Sequence, residues 1–122
     1  AGAARAAASR PLTDAEREAL AARHAAAATA SVAEYRRLDT LLHLTIAEFA
    51  GIPSLLALLT ENRAHVNAWL DAFPLLARSI EHSDMQHDRI VAAVVAGRPE
   101  AAEAAVLEHL AGSESLLRGF LA

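Results

Sequence analysis

Hydrophobic residues recur with the 3.6-residue period of an α-helix along most of this chain, and turn-forming residues separate the periodic segments. Residues 1–10 have the pattern of the end of a helix. The sequence Thr13-Asp14-Ala15-Glu16 has the spacing of a capping box and predicts a second helix over about 14–29. Ser31 and Glu34 repeat this spacing, so we predict that a third helix begins there.

Glycine and proline residues divide the remaining chain into three more predicted helices. These helices cover about 53–73, 76–96 and 99–121. Gly51 and Gly97 follow the ends of helical segments, where a left-handed residue closes a helix. Pro53 and Pro99 suit the first turn of the helices that come next.

The predicted bundle has two expected irregularities. Pro74 is expected to end or kink the fourth helix, and the fifth is expected to break near residues 79–83. No alternating strand pattern occurs anywhere in the sequence. We therefore predict an all-α fold, an antiparallel bundle of about six helices with the first one truncated. It forms a single domain over 1–122 around a central metal or ligand pocket.

Three of the predicted helices carry a possible metal ligand at the centre of an apolar face. Asp39 and His43 are four residues apart, so they lie on one side of the third helix, about 6 Å apart along its axis. His87 and His109 have the same central position on the fifth and sixth helices. A buried carboxylate or imidazole is costly unless it is paired, and one divalent cation would satisfy all four. Alternatively, Asp39 and His43 bond each other and the other two histidines find separate partners.

Polar residues also occur elsewhere on the predicted apolar faces. Asn62 lies in the middle of the broad apolar face of the fourth helix, beside Arg63, and is expected either to cap a backbone group or to face a ligand. His24 is expected to be a surface histidine, and His65 to lie at the rim of its face. His82 projects away from the face that carries the fifth helix's ligand.

Composition narrows the chemistry. The chain has no cysteine, which excludes disulfides, iron–sulfur clusters and thiolate metal sites, so a metal must be held by His, Asp or Glu. The formal net charge of −4 argues against nucleic acid binding by this chain itself. No apolar run reaches the roughly 18–20 residues of a membrane span, and no signal peptide is visible. We therefore expect a cytoplasmic location and no membrane partner.

Three motifs identify a family resemblance. They are Asp39 followed by Leu42-His43, the run from His87 through Ile90 to Gly97, and Glu108-His109-Leu110. With these motifs the chain resembles the FCD domain, the ligand-sensing C-terminal domain of FadR-type regulators in the bacterial GntR family. The resemblance implies that Asp39, His43, His87 and His109 bind a divalent transition metal. Zinc is the first expectation, with nickel, manganese or iron as alternatives.

The resemblance also implies a role and partners. A small organic acid would bind on or beside the metal and modulate DNA binding by a winged-helix domain that precedes this chain. A homodimer is expected, and no catalysis. The family's effector-binding arginine of the first helix is not found here, and Arg63 is our substitute for it. The candidate effector-binding residues are Tyr35, Asn62, Arg63 and Ser83.

Two other functions remain open at this point. A metal-dependent helical-bundle enzyme, such as a hydrolase or lyase, could activate water at an open metal position. Against it, no glutamate lies convincingly on the faces that carry the ligands. A metal-free helical interaction domain, in which the histidines hydrogen bond to backbone groups, is the second alternative.

Overall fold

The structure, a computed structural model that describes residues 1–70 and 77–121, is a bundle of α-helices with no strand in those ranges. The helices are α1 (Gly2–Ala8), α2 (Asp14–Ala28), α3 (Val32–Phe49), α4 (Pro53–Leu70), α5 (Ala77–Val95) and α6 (Pro99–Leu121). The predicted all-α bundle of about six helices is confirmed. The expected end or kink at Pro74 lies outside the described residues.

The two predicted capping boxes have different outcomes. At the start of α2, the backbone N–H of Glu16 donates to Thr13 Oγ1 at 3.1 Å, and the backbone N–H of Thr13 donates to Glu16 Oε1 at 3.0 Å. Ser31 is the N-cap residue of α3, but its side chain makes no capping hydrogen bond. The second capping box is therefore wrong. The carboxylate of Glu34 instead accepts a 2.7 Å hydrogen bond from Arg37, one turn further along the helix.

The helix boundaries set by glycine and proline are confirmed. Gly51 and Gly97 have φ angles of 75° and 66°, the left-handed conformation that glycine adopts without strain. α4 and α6 begin at Pro53 and Pro99. The expected break near residues 79–83 is wrong, because α5 runs through them without interruption. That segment contains no proline or glycine, and the modest helix propensities of serine and histidine are overcome by packing.

The helices pack around one hydrophobic core. α5 contacts α6, α2 and α1, while α3 contacts α2, α4 and α1. The short helix α1 approaches α3, α5 and α6 closely, because its buried face consists of Ala4, Ala7 and Ala8. Among the side chains that the structure describes, the largest fully buried ones are Leu20, Leu42, His87, Ile90 and Val94. A histidine thus belongs to the centre of the core, which fixes where the polar site lies.

Helix α4 is less enclosed than the others. It packs mainly on α3, and its large apolar residue Leu58 is 65% exposed. No helix in the described part of the chain is both long enough and apolar enough to cross a membrane.

The contrast between the two helix starts gives a test. We expect Thr13→Ala to lower the free energy of unfolding by about 1 kcal/mol, since it removes the side-chain oxygen that caps Glu16 N–H. Ser31→Ala should change it by only a few tenths of a kcal/mol, because that hydroxyl makes no capping bond. Urea unfolding of both variants measures the difference. Equal losses would contradict the assignment of the caps.

Candidate metal centre

Three imidazole rings from three helices meet inside the bundle. Nε2 of His87 on α5 lies 3.2 Å from Nε2 of His43 on α3 and 3.2 Å from Nε2 of His109 on α6. One ring nitrogen from each of the three residues lies within 4.8 Å of the other two. The helical pattern predicted central positions for these residues on separate helices, and the structure brings them together.

The carboxylate of Asp39 completes this cluster on its α3 side. Its Oδ1 lies 3.2 Å from His43 Nε2 and 3.1 Å from His87 Nε2. Its other oxygen, Oδ2, accepts a hydrogen bond from a terminal nitrogen of Arg63 on α4. Asp39 therefore links the imidazoles of α3 and α5 to a cation on α4. The predicted pairing of Asp39 with His43 is present, but as one contact within a larger cluster.

The spacing of these atoms fits a shared divalent ion. Nitrogen and oxygen ligands at about 2.1 Å from one ion lie about 3.0 Å apart at a right angle and about 3.4 Å apart at a tetrahedral angle. The four separations that join His87 Nε2 to the other two Nε2 atoms, and Asp39 Oδ1 to His43 and His87, are 3.1–3.2 Å and lie between these values. Imidazole and carboxylate ligands suit zinc, nickel, manganese or iron. The side chains of these four residues are therefore suitable ligands for such an ion.

Burial favours the neutral form of two of these imidazoles, those of His43 and His109. His87 is fully buried and His109 is 7% exposed. Burial, together with the neighbouring His87 and His43, lowers the pKa of His109 to about 3. Burial also lowers the pKa of His43, although the contact with Asp39 opposes that shift. Neutral imidazoles are the form that binds a metal, so the environment prepares these ligands for a cation.

Asp39 is held in its charged form. Burial raises its pKa, but hydrogen bonds from His43 and His87 and the charge of Arg63 outweigh burial and hold the pKa well below its usual range. The site thus combines one carboxylate with neutral imidazoles, which is the donor set that a divalent cation requires.

Two further side chains on α5 contact the outer nitrogens of these rings. Gln86 Oε1 lies 2.7 Å from His109 Nδ1, and Asp84 Oδ1 lies 3.7 Å from His87 Nδ1. The sequence pattern did not identify either residue as part of the site. Gln86 precedes a candidate ligand directly, but helical periodicity places consecutive residues about 100° apart and cannot show that Gln86 reaches α6.

Several buried polar atoms near the cluster have no protein partner. Among the described residues they include the hydroxyl of Tyr35, Nε of Arg63, Oδ1 of Asp84 and Nδ1 of His87. Buried polar groups are nearly always paired, so unpaired ones mark a place for water or a ligand. Burial raises the pKa of Tyr35, and the nearby charges of Asp39 and Asp84 raise it further, so its hydroxyl remains a donor.

The four candidate effector-binding residues differ in their burial and in their contacts. Tyr35 is buried, Arg63 contacts Asp39, and Ser83 is half-buried on α5. Asn62 is exposed, so our expectation that it is buried is wrong. The reason is that α4 packs mainly on α3, which leaves this side of the helix at the surface.

The remaining histidines lie away from the cluster. His65 and His82 are exposed, consistent with their exclusion from the ligand set. His24 is half-buried, so the expectation of a surface residue is wrong. It lies between α2 and α5, where its Nε2 is 3.3 Å from Asp88 Oδ1.

Comparison with known proteins identifies one family. The family model described as FCD domain matches residues 1–112, which is most of the chain and includes all four clustered residues. No curated protein and no solved structure matches the chain.

The lowered pKa of His109 gives a test in the metal-free domain. Folded His109 has a pKa of about 3, whereas the ordinary value is 6.5, so below about pH 6.5 the unfolded chain binds a proton that the folded chain does not. This contribution to stability is complete above pH 6.5 and is lost as the pH falls towards 3. The slope is roughly 1.4 kcal/mol per pH unit for one such group.

We expect His109→Gln to reduce the slope of stability against pH, and exposed His65→Gln to leave it unchanged. Urea unfolding with a chelator present, between about pH 7 and about pH 5, measures both slopes. The same slope in His109→Gln as in the original chain would contradict the buried, neutral imidazole.

Proposed function

The chain belongs to the FCD domain family, and from this premise we propose that it is the effector-sensing domain of a FadR-type regulator of the GntR family. FCD domains are the effector-binding, regulatory domains of such transcription factors, which favours sensing over catalysis. We further propose that it binds one divalent transition metal, zinc first, and a small organic acid. The regulator would act in the bacterial cytoplasm on DNA, through a winged-helix domain attached to this one.

The observation that carries the metal proposal is the convergence of three imidazole nitrogens and one carboxylate oxygen. Asp39, His43, His87 and His109 are the proposed ligands, because their Nε2 and Oδ1 atoms share one small volume. In a metal-free core, each buried imidazole would be expected to have a hydrogen-bond partner of its own. Here Nε2 of His87 instead lies against Nε2 of both His43 and His109 as well as Asp39 Oδ1, and Nδ1 of His87 has no hydrogen-bond partner.

Charge balance supports an anionic effector. Without a metal, the charges of Asp39 and Arg63 cancel, and the lowered pKa values of His43 and His109 keep those two imidazoles neutral. A divalent ion would add two positive charges, of which the carboxylate of Asp84, 3.7 Å from His87 Nδ1, can offset at most one, and an uncompensated charge is unfavourable at low dielectric. A carboxylate at an open position of the ion would compensate for this charge. The bound ion would supply a Lewis acid that holds such a carboxylate.

The unpartnered donors give the effector further contacts. The Nε–H of Arg63 and the hydroxyl of Tyr35 are both buried and without a protein partner. Each can donate a hydrogen bond to a carboxylate oxygen, and an arginine can do so while its terminal nitrogen stays on Asp39. Ser83 lies half-buried on α5 and could donate a hydrogen bond if the effector extends that far.

Regulation would follow from a shift between two arrangements of the domain. An effector held by both the metal and Arg63 would tie α4 to α3, α5 and α6. It regulates DNA binding only if it binds one arrangement of the attached domains more tightly than the other. We propose that the domain works as a homodimer, so that one effector equilibrium controls two DNA-binding domains.

Metal analysis tests the proposed ligands. The purified domain should contain about one equivalent of a transition metal, and His87→Ala/His109→Ala should lose it, because half of the ligands are gone. The control His65→Ala/His82→Ala removes two exposed histidines and should keep the metal. Elemental analysis and melting temperature are measured for each protein. A chain that stays metal-free after incubation with zinc, nickel and manganese would refute this proposal.

Arg63 is the proposed carboxylate-binding residue. At saturating zinc, Arg63→Ala should weaken binding of small mono- and dicarboxylic acids by about tenfold or more, because it removes a charged hydrogen-bond donor. Arg37→Ala removes an arginine that pairs with Glu34 on the surface and should leave the affinity unchanged. Calorimetric titration of a panel of acids measures both. Equal affinities for the two variants would show that the anion binds elsewhere.

A further inference from the structure

We propose that Gln86 is a positioning residue that fixes the tautomer of His109, so that its Nδ1 carries the proton and its Nε2 faces the other imidazoles. The tautomer itself does not depend on a metal. Its consequence for metal affinity rests on the function proposed above.

The contact between these residues is buried and short. Gln86 is 6% exposed, and its Oε1 lies 2.7 Å from Nδ1 of His109, which is itself 7% exposed. An amide oxygen accepts hydrogen bonds and cannot donate them. Because this oxygen faces Nδ1, the ring nitrogen must be the donor. A neutral imidazole has only one N–H, so Nε2 then carries the lone pair.

Gly112 on α6 leaves room for this amide. A Cβ at Gly112 would lie 3.1 Å from Gln86 Nε2 and 3.7 Å from Gln86 Oε1. The amide nitrogen therefore lies against the backbone of α6 at the glycine, and the oxygen is left to face His109. A larger residue at this position would push the amide by a few tenths of an ångström.

Because Gln86 directly precedes His87, helix α5 contributes to the cluster in two ways. His87 supplies a nitrogen to the cluster, and the residue directly before it orients the nitrogen supplied by α6. Consecutive helical residues project about 100° apart, which lets one side chain point into the cluster while the other lies along α6. Gln86 also does this without adding a charge, whereas a carboxylate at this position would join those of Asp39 and Asp84 and reduce the positive charge that attracts an anion.

Nitrogen-15 NMR of the metal-free domain tests the inference directly, because long-range ¹H–¹⁵N correlations distinguish the two imidazole tautomers. We expect the Nδ1–H form for His109 in the original chain. Gln86→Met, which keeps the volume but removes the acceptor, should give a mixture or the Nε2–H form. Gln86→Glu keeps an oxygen at this position and should retain the Nδ1 proton. Glu81→Met, an exposed change on the same helix, should have no effect.

Zinc titration against a competing chelator gives the second readout. Gln86→Met should bind zinc roughly 10- to 100-fold more weakly, the usual effect of losing a partner of a metal-bound histidine. Gln86→Glu should restore the affinity. Gly112→Ala should lower zinc affinity while raising the melting temperature, since alanine favours a helix but displaces the amide. A purely structural role would move both quantities in the same direction.

The outcomes separate this inference from the proposed function. An Nε2–H tautomer in the original chain, or an unchanged tautomer in Gln86→Met, overturns the role of Gln86 even if zinc binds. If zinc does not bind the original chain, the metal proposal fails, and the tautomer measurements still decide the role of Gln86. If Gln86→Met does not fold, Gly112→Ala provides the alternative test, because it displaces the amide of Gln86. An unchanged tautomer together with an unchanged zinc affinity in Gly112→Ala would then overturn the inference.

Discussion

The clustering of three imidazoles and one carboxylate inside the bundle is the constraint on which this structure depends. Asp39, His43, His87 and His109 occupy the centre of the bundle, where hydrophobic side chains would pack at lower cost. Their atoms meet only if α3, α5 and α6 keep their present rotation and axial position. One-residue slippage of any of these helices would turn its ligand about 100° away from the cluster. The polar centre thus selects one packing among the many that an alanine- and leucine-rich bundle could adopt.

Small residues around this centre make the packing possible. α1 presents alanines to three other helices, which lets the backbones approach closely without large side chains to interlock. Such faces contribute little specificity, because one alanine packs much like another. Gly112 differs from these alanines, because its lack of a side chain leaves room for one particular group, the amide of Gln86, against α6. The register that the alanines leave undetermined is then set by polar contacts such as that of Gln86 with His109.

The sequence predicted what depends on local spacing and missed what depends on the neighbouring helix. The boundaries at Gly51, Pro53 and Pro99 follow from backbone preferences, and the polar stripe of Asp39 and His43 follows from helical periodicity. The exposure of Asn62 depends on how little of α4 the bundle covers, which no pattern within α4 reveals. The Ser31 cap failed for a similar reason. Its spacing was correct, but Glu34 has a competing partner in Arg37.

Helix α4 has few packing contacts and depends in part on an ion pair. It contacts mainly α3 and leaves Leu58 exposed, so the hydrophobic effect holds it less firmly than the other helices. Arg63 adds an ion pair to Asp39, part-buried and therefore less screened than a surface pair. That ion pair shares its carboxylate with the imidazoles of α3 and α5. Any charge that enters the cluster consequently changes the attraction that Arg63 experiences, and with it the position of the helix that packing restrains least. The charges of the site thus act directly on a helix that, in the described part of the chain, packs mainly on α3 alone, and weakly packed elements are the ones that can move when a charge is added.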